Sequence, residues 1–239
     1  MSRTTPLLRS ALVAAAGLGT AVLLSGCFAS APVVVETPKP EPDFGSIGGE
    51  TPIPIETGTP VEPVEPDESG YVSVYDDLGV VVVSVPEAWA DVDGEGFTTD
   101  AGQDWAFVAA AEDLDGYLER WDVAGVEVGA TAISDVDAAT LDGQLQGLLA
   151  SISQGYGECD TVTAEAQPYE DPFFTGYESL FEDCGQNGTV AFAIAATNSD
   201  GTQVMFVRGQ ITSDYDVQEV YSAITGSFDT SIGRSQTRN

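Results

Sequence analysis

"CDTVTAEAQPYEDPFFTGYESLFEDC" (Cys159–Cys184) begins and ends on a cysteine, and the midpoint of the pair falls between Asp171 and Pro172. Asp and Pro are turn formers for separate reasons: the Asp side chain accepts hydrogen bonds from backbone just ahead of it, and Pro presets φ. The stretch therefore predicts an antiparallel hairpin in which Cys159 and Cys184 face one another. Directly opposed strand residues sit about 4.5 to 5.5 Å apart at Cα, a separation that a disulfide accepts. A redox-active pair is the other reading, but the thiols form no CxxC motif and lie far apart in the chain.

Working outward, the hairpin strands are Cys159 to Ala166 and Phe174 to Phe181. Two more follow, Thr189 to Ala196 and Gln203 to Thr212, joined by the turn signal "NSDG". Ahead of the hairpin, Ser134 and Asp137 read as a capping box, opening a helix whose Leu141, Leu145, Leu148 and Ile152 recur at helical spacing. A last helix opens with Ser213 and Asp216 and buries Val217, Val220, Ile224 and Phe228. Upstream, "YVSVYDDLGVVVVSV" reads as a hairpin turning at Asp76, Asp77 and Gly79, with Pro86 ending its second strand. "DWAFVAAA" and "GVEVGATA" read as buried strands, and between them "EDLDGYLERWDV" reads as a helix with Leu114, Leu118 and Trp121 on one stripe. Strands in meander with helices interspersed predict an α+β fold, an α/β/α sandwich with a mainly antiparallel sheet, over residues 71–231, followed by a flexible tail at 232–239.

The third cysteine sits elsewhere. "MSRTTPLLRS" carries Arg3 and Arg9 and no acid, and Ala11 to Leu24 is almost wholly apolar, a secretory signal pattern. The run falls short of the roughly twenty residues that cross a bilayer. At its end Leu24, Ser25, Gly26 and Cys27 resemble the lipobox of bacterial lipoproteins. That resemblance implies a signal peptide over 1–26, cleavage after Gly26, and a diacylglyceryl group on Cys27; an ordinary signal peptide with an incidental Cys27 is the plainer alternative. Residues 28–70 hold nine of the thirteen prolines and nine carboxylates, too little apolar surface to offset ordering. Residues 27–70 are thus expected to be the lipidated Cys and a disordered linker, reaching on the order of 120 Å at about 3.1 Å per residue. The expected location is extracytoplasmic, on the outer face of the cell membrane, an oxidising setting in which the remaining even pair of cysteines forms a disulfide.

"YVSVYDDLGVVVVSVPEAWADVDG" and "RWDVAGVEVGA", with the Cys159–Cys184 segment, resemble domains of exported actinobacterial proteins, some attached to trypsin-like proteases. They are similar to the PsbP-like superfamily of α/β/α sandwiches. The resemblance implies an exported binding or accessory module and carries over no catalytic residue.

Charge and residue types narrow the chemistry. The chain has 39 acidic and 7 basic residues, a formal net charge of −32, and residues 71–231 contain two arginines, Arg120 and Arg208. Nucleic-acid binding needs phosphate neutralisation by Lys or Arg, so that partner is excluded. There is no histidine, and the lysine, Lys39, lies in the linker. Ser/His, Cys/His and Ser/Lys mechanisms therefore lack a proton shuttle, and His-based zinc sites lack ligands. No phosphate-binding glycine motif is present. No cofactor, metal site or catalytic residue is expected. An enzyme would have to use paired carboxylates, as glycosidases do.

Several residues have two readings. "DVDGEGFTTD" (Asp91 to Asp100) begins like a calcium loop with Asp91, Asp93, Glu95 and Gly96, but Gly102 stands where the bidentate acid belongs; a polar turn is the simpler account. Arg120 and Arg208 could grip an anionic ligand or neutralise nearby acids. Trp89, Trp105 and Trp121 could line a pocket or anchor the core. "NGT" at Asn187 matches a glycosylation acceptor, of little meaning in a bacterium. The sequence reading is a lipid-anchored, non-catalytic binding or accessory domain of the cell envelope, its partners the membrane through the anchor and either a cell-envelope protein or a small ligand. The alternatives are a carboxylate-dependent hydrolase of cell-wall glycan and a structural spacer without ligand.

Overall fold

The longest ladders belong to strands that follow one another in the chain. β7 (Cys159–Glu170), β8 (Phe174–Cys184), β9 (Thr189–Asn198) and β10 (Gln203–Ile211) form an antiparallel meander. The computed structural model describes residues 70–133 and 136–232, the side chains at 161, 163 and 164 excepted. β10 pairs with β6 (Gly125–Ala132), which pairs with β5 (Asp104–Ala111), and the short β3 (Asp91–Asp93) and β4 (Phe97–Thr98) border β5. The order β3-β5-β6-β10-β9-β8-β7 is antiparallel at every neighbour. A second sheet contains the hairpin of β1 (Tyr71–Tyr75) and β2 (Val81–Pro86) and the short β11 (Asp229–Thr230). The fold is α+β.

Both faces of the central strands of the main sheet are buried, and side chains divide between them with a period of two. Val108, Val128, Phe192, Ile194, Met205 and Val207 belong to one core, beneath β1–β2 and α3 (Val217–Ser227). The alternate residues Ala191, Ala193, Ala195, Val204 and Phe206 belong to the other, beneath α2 (Ala138–Ile152). Three alanines in β9 leave room for the α2 leucines, and Phe206 fills the remaining space from β10. Phe206 lies opposite Gly129 on β6, where an added Cβ would come within 2.3 Å of its ring. Glycine is required there by packing rather than by backbone conformation.

The predicted helical face of α2 is buried as expected: Leu141, Leu145, Leu148 and Ile152 are all in the core. So are Val220, Ile224 and Phe228 of the α3 region. The caps differ. Asp137 is itself the N-cap of α2, its carboxylate accepting from the Ala139 and Thr140 amides, and Ser134 lies outside the described residues. The hydrogen bonds from Thr140 hold the Asp137 carboxyl below the usual carboxylate range. Asp216, not Ser213, caps α3 by accepting from the Glu219 amide.

The helix between β5 and β6 is shorter than its stripe predicted. α1 spans Leu114–Glu119, Leu118 is 45 % exposed, and the buried ring is Tyr117. Trp121 is buried beyond the helix end. The first hairpin turns on Asp76, whose Oδ1 accepts from the Val80 and Val81 amides at 2.6 Å each. Burial raises its pKa, against the lowering effect of those amides.

The β7–β8 hairpin also corrects the symmetrical reading. Asp171 makes the turn, accepting from the Phe173 and Phe174 amides, and Glu170 pairs with Thr175, so the tip is centred between Pro172 and Phe173. Two irregularities in β7, between Val162 and Ala164 and between Ala164 and Gln167, each take up one extra residue and bring Cys159 opposite Cys184. Ala166 at the second has φ +48°, and its amide donates to Ser179 Oγ at 3.0 Å. The cysteines are disulfide-bonded with Cα atoms 3.9 Å apart, closer than an ideal opposed pair. For a sequence separation of 25 the chain-entropy account gives about 3–4 kcal/mol. The double substitution Cys159→Ala, Cys184→Ala is expected to lower the calorimetric Tm by roughly 6–16 °C; an unchanged Tm would contradict that assignment of stability.

Candidate functional site

Two places on the domain combine unusual chemistry with shape: a buried ionic cluster on β6 and β10, and a groove beside the edge strand β7. The cluster centres on Arg208, which register places directly opposite Glu127. Arg208 Nε and Glu127 Oε2 are 2.7 Å apart with side chains 3 % and 10 % exposed. The Nε–H makes no aligned hydrogen bond, so charge holds the pair. Tyr117 donates to Glu127 Oε2 at 3.2 Å and to the Arg208 carbonyl at 3.3 Å. Tyr156 donates to the Phe192 carbonyl at 3.2 Å. Gln210 reaches across to the Arg120 and Val123 carbonyls, and the Thr189 hydroxyl to that of Trp121.

Burial works against the Arg208 charge, but Glu127 and the two tyrosines outweigh it and raise its pKa above the ordinary arginine value. Burial first, and the Glu127 charge in addition, pushes the Tyr117 phenol well up; burial likewise raises Tyr156. The cluster is a closed charge-neutralising network beneath α1 and the Trp121 loop. Of the two readings of Arg208, the neighbouring acid is what the geometry provides. Arg120 does the same at the surface, 3.3 Å from Asp122 and 3.6 Å from Asp113.

The groove has a different origin. α2 packs principally over β8, β9 and β10, and β7 lies beyond them at the sheet edge. After its C-cap at Ser153 the chain makes a 3-10 turn, Gln154–Glu158, and enters β7 at Cys159. Tyr156 anchors that turn, its ring 4.8 Å from that of Phe181 and 5.7 Å from that of Trp121. Between α2, the turn and the β7–β8 strands remains a groove of about 470 Å³, within the range of small-molecule sites. Leu149, Ala150, Tyr156, Val162 and Phe181 supply apolar lining, together with Cys159 of the disulfide. Val162 is 52 % exposed. Ser153 also lines it, and its Oγ is buried without a hydrogen-bond partner. Glu165 is the one carboxylate among the lining residues.

A smaller cleft of about 350 Å³ lies between the first hairpin and β4, lined by Asp77, Glu95, Phe97, Asp104 and Trp105. In the calcium-like stretch, Asp91 and Asp93 belong to β3 and their carboxylates serve backbone amides, of Leu114 and Glu95. Among the described residues no group of three His, Cys, Asp or Glu could hold a metal ion. Trp89, Trp105 and Trp121 are core residues, and Asn187 is exposed in the turn after β8. Cys27 lies outside the described residues. No motif marked the groove in the sequence: it is built from small and ordinary residues on separate elements. Its one signal was the cysteine pair, of which Cys159 forms part of its wall.

No family model matches the chain, and no curated protein matches it. Structure and sequence therefore carry the functional argument by themselves.

The buried pair makes a discriminating prediction. Glu127→Ala leaves Arg208 charged and uncompensated and is expected to cost about 3–5 kcal/mol in urea unfolding, whereas Glu127→Leu with Arg208→Met is expected to cost far less. Equal losses in the two proteins would contradict the neutralising role.

Proposed function

We propose that this protein is a lipid-anchored extracytoplasmic module of the cell envelope that acts by binding rather than by catalysis. The observation that carries the address is Cys27, behind Leu24-Ser25-Gly26 and an apolar run led by two arginines. The Cys159–Cys184 disulfide supports it, since such bonds persist in oxidising compartments. Among the described residues no helix is long and apolar enough to cross a membrane, and a lipid on Cys27 would supply the attachment. Two acyl chains hold firmly where one holds marginally. The linker then lets the domain stand away from the surface.

The binding role is supported by the groove beside β7, which has the volume and mixed lining of a ligand site. A glycan hydrolase would require two carboxylates flanking one bond, and this groove offers Glu165 alone. We read the cover of the sheet, α2 on one side and α3 with the β1–β2 hairpin on the other, as a PsbP-like α/β/α arrangement, in keeping with a binding or accessory module.

Fractionation of producing cells tests the anchor. Wild-type protein is expected in the membrane pellet and labelled by fed palmitate, and Cys27→Ser is expected unlabelled in the culture fluid. A Cys27→Ser protein that still pellets with vesicles would contradict the proposal.

A further inference from the structure

We infer that the groove between α2 and β7 is a binding site for a small amphipathic cation, an apolar body carrying a terminal amine. The inference rests on the reading of this domain as a binding module and specifies what it binds.

Two features select that chemistry. The first is the apolar lining: Leu149, Tyr156 and Phe181 form a buried floor, and the exposed Ala150 and half-exposed Val162 offer their open area to an aliphatic or aromatic body, with nothing among the described residues covering Val162. Burying such area is worth roughly 25 cal/mol per Å² before the costs of association. The second is charge. Glu165 is the sole charged lining residue, it is exposed, and the chain as a whole carries a formal −32. An anion entering the groove would meet this field with no lysine or arginine in the lining to receive it, while an ammonium group would be drawn toward Glu165.

The disulfide gives the site its rigidity. Cys159 is both a wall residue and the first residue of β7, tied to Cys184 on the neighbouring strand. The turn that leads into it is pinned by Tyr156. The wall formed by the start of β7 is thus fixed before a ligand arrives, which reduces the ordering cost of binding.

The test uses the full chain carrying Cys27→Ser, with its disulfide oxidised, and a matched pair of fluorescent probes. Dansylcadaverine has an apolar ring system, a sulfonamide and a terminal amine; dansyl-6-aminohexanoic acid has the same body ending in a carboxylate. Dansylcadaverine is expected to brighten and saturate at one probe per chain, and the carboxylate analogue to bind at least about tenfold more weakly. Glu165→Gln is expected to weaken dansylcadaverine by about two- to fivefold, the scale of an exposed ion pair. Ala150→Trp, an exposed helix position that fills the groove, is expected to abolish saturable binding with an unchanged Tm. Equal affinity for the two probes, or dansylcadaverine binding untouched by Ala150→Trp, would overturn the assignment; the latter would mark adsorption to the acidic surface, and 0.5 M salt would then remove it. Probe affinity does not depend on where the protein resides, so its failure is separable from failure of the anchor.

Discussion

The covalent link between Cys159 and Cys184 is the constraint on which the rest depends. Among the described residues β7 is an edge strand with a neighbour on one side only, and its ladder to β8 is interrupted twice. Bulges and proline are how edge strands avoid pairing with other chains, and β7 has both, with Pro168 opposite Tyr177. Those devices also weaken its hold on the sheet. The disulfide restores that hold at the end where β7 leaves the 3-10 turn, beside the groove. One bond thus fixes the edge of the fold and a wall of its candidate site.

The interior is organised by a second constraint, the register of β6 against β10. This is the pairing that joins the meander to the earlier half of the chain, across the whole of α2 and the β7–β8 hairpin. Arg208 faces Glu127 there, and Phe206 faces Gly129. A one-residue slip of β10 would flip the whole strand, sending Arg208 to the opposite face among Val126, Val128 and Ile194, and would drive Phe206 out of its glycine gap. The ion pair contributes little net stability after desolvation. Its contribution is to make the wrong register far more costly than the right one.

Much of this was legible in the sequence because it is periodic. Leu141, Leu145, Leu148 and Ile152 form a helical face in either view, and the four consecutive strands appear within a few residues of their expected ends. The cysteine spacing yielded the hairpin. It did not yield the bulges, which arise because β7 must match β8 while bending at an open edge, a tertiary condition that no local residue type announces. The stripe through Leu118 failed because a six-residue helix has fewer than two turns to define a face, and the buried ion pair recruited Tyr117 instead. Arg208 was conspicuous among thirty carboxylates, but its partner emerges only when β6 and β10 are aligned. The groove was illegible: Ala150, Ser153 and Glu165 acquire meaning from the gap that an edge strand leaves beside a helix.

Address, fold and site meet in the state of three sulfur atoms. Mass spectrometry of alkylated, non-reduced protein from the membrane fraction of producing cells reads all three at once. The account predicts an N-terminal peptide beginning at Cys27 and carrying a diacylglyceryl mass, with Cys159 and Cys184 joined and unalkylated. Free, alkylated thiols at Cys159 and Cys184, or an unmodified Cys27 within an intact leader, would contradict it.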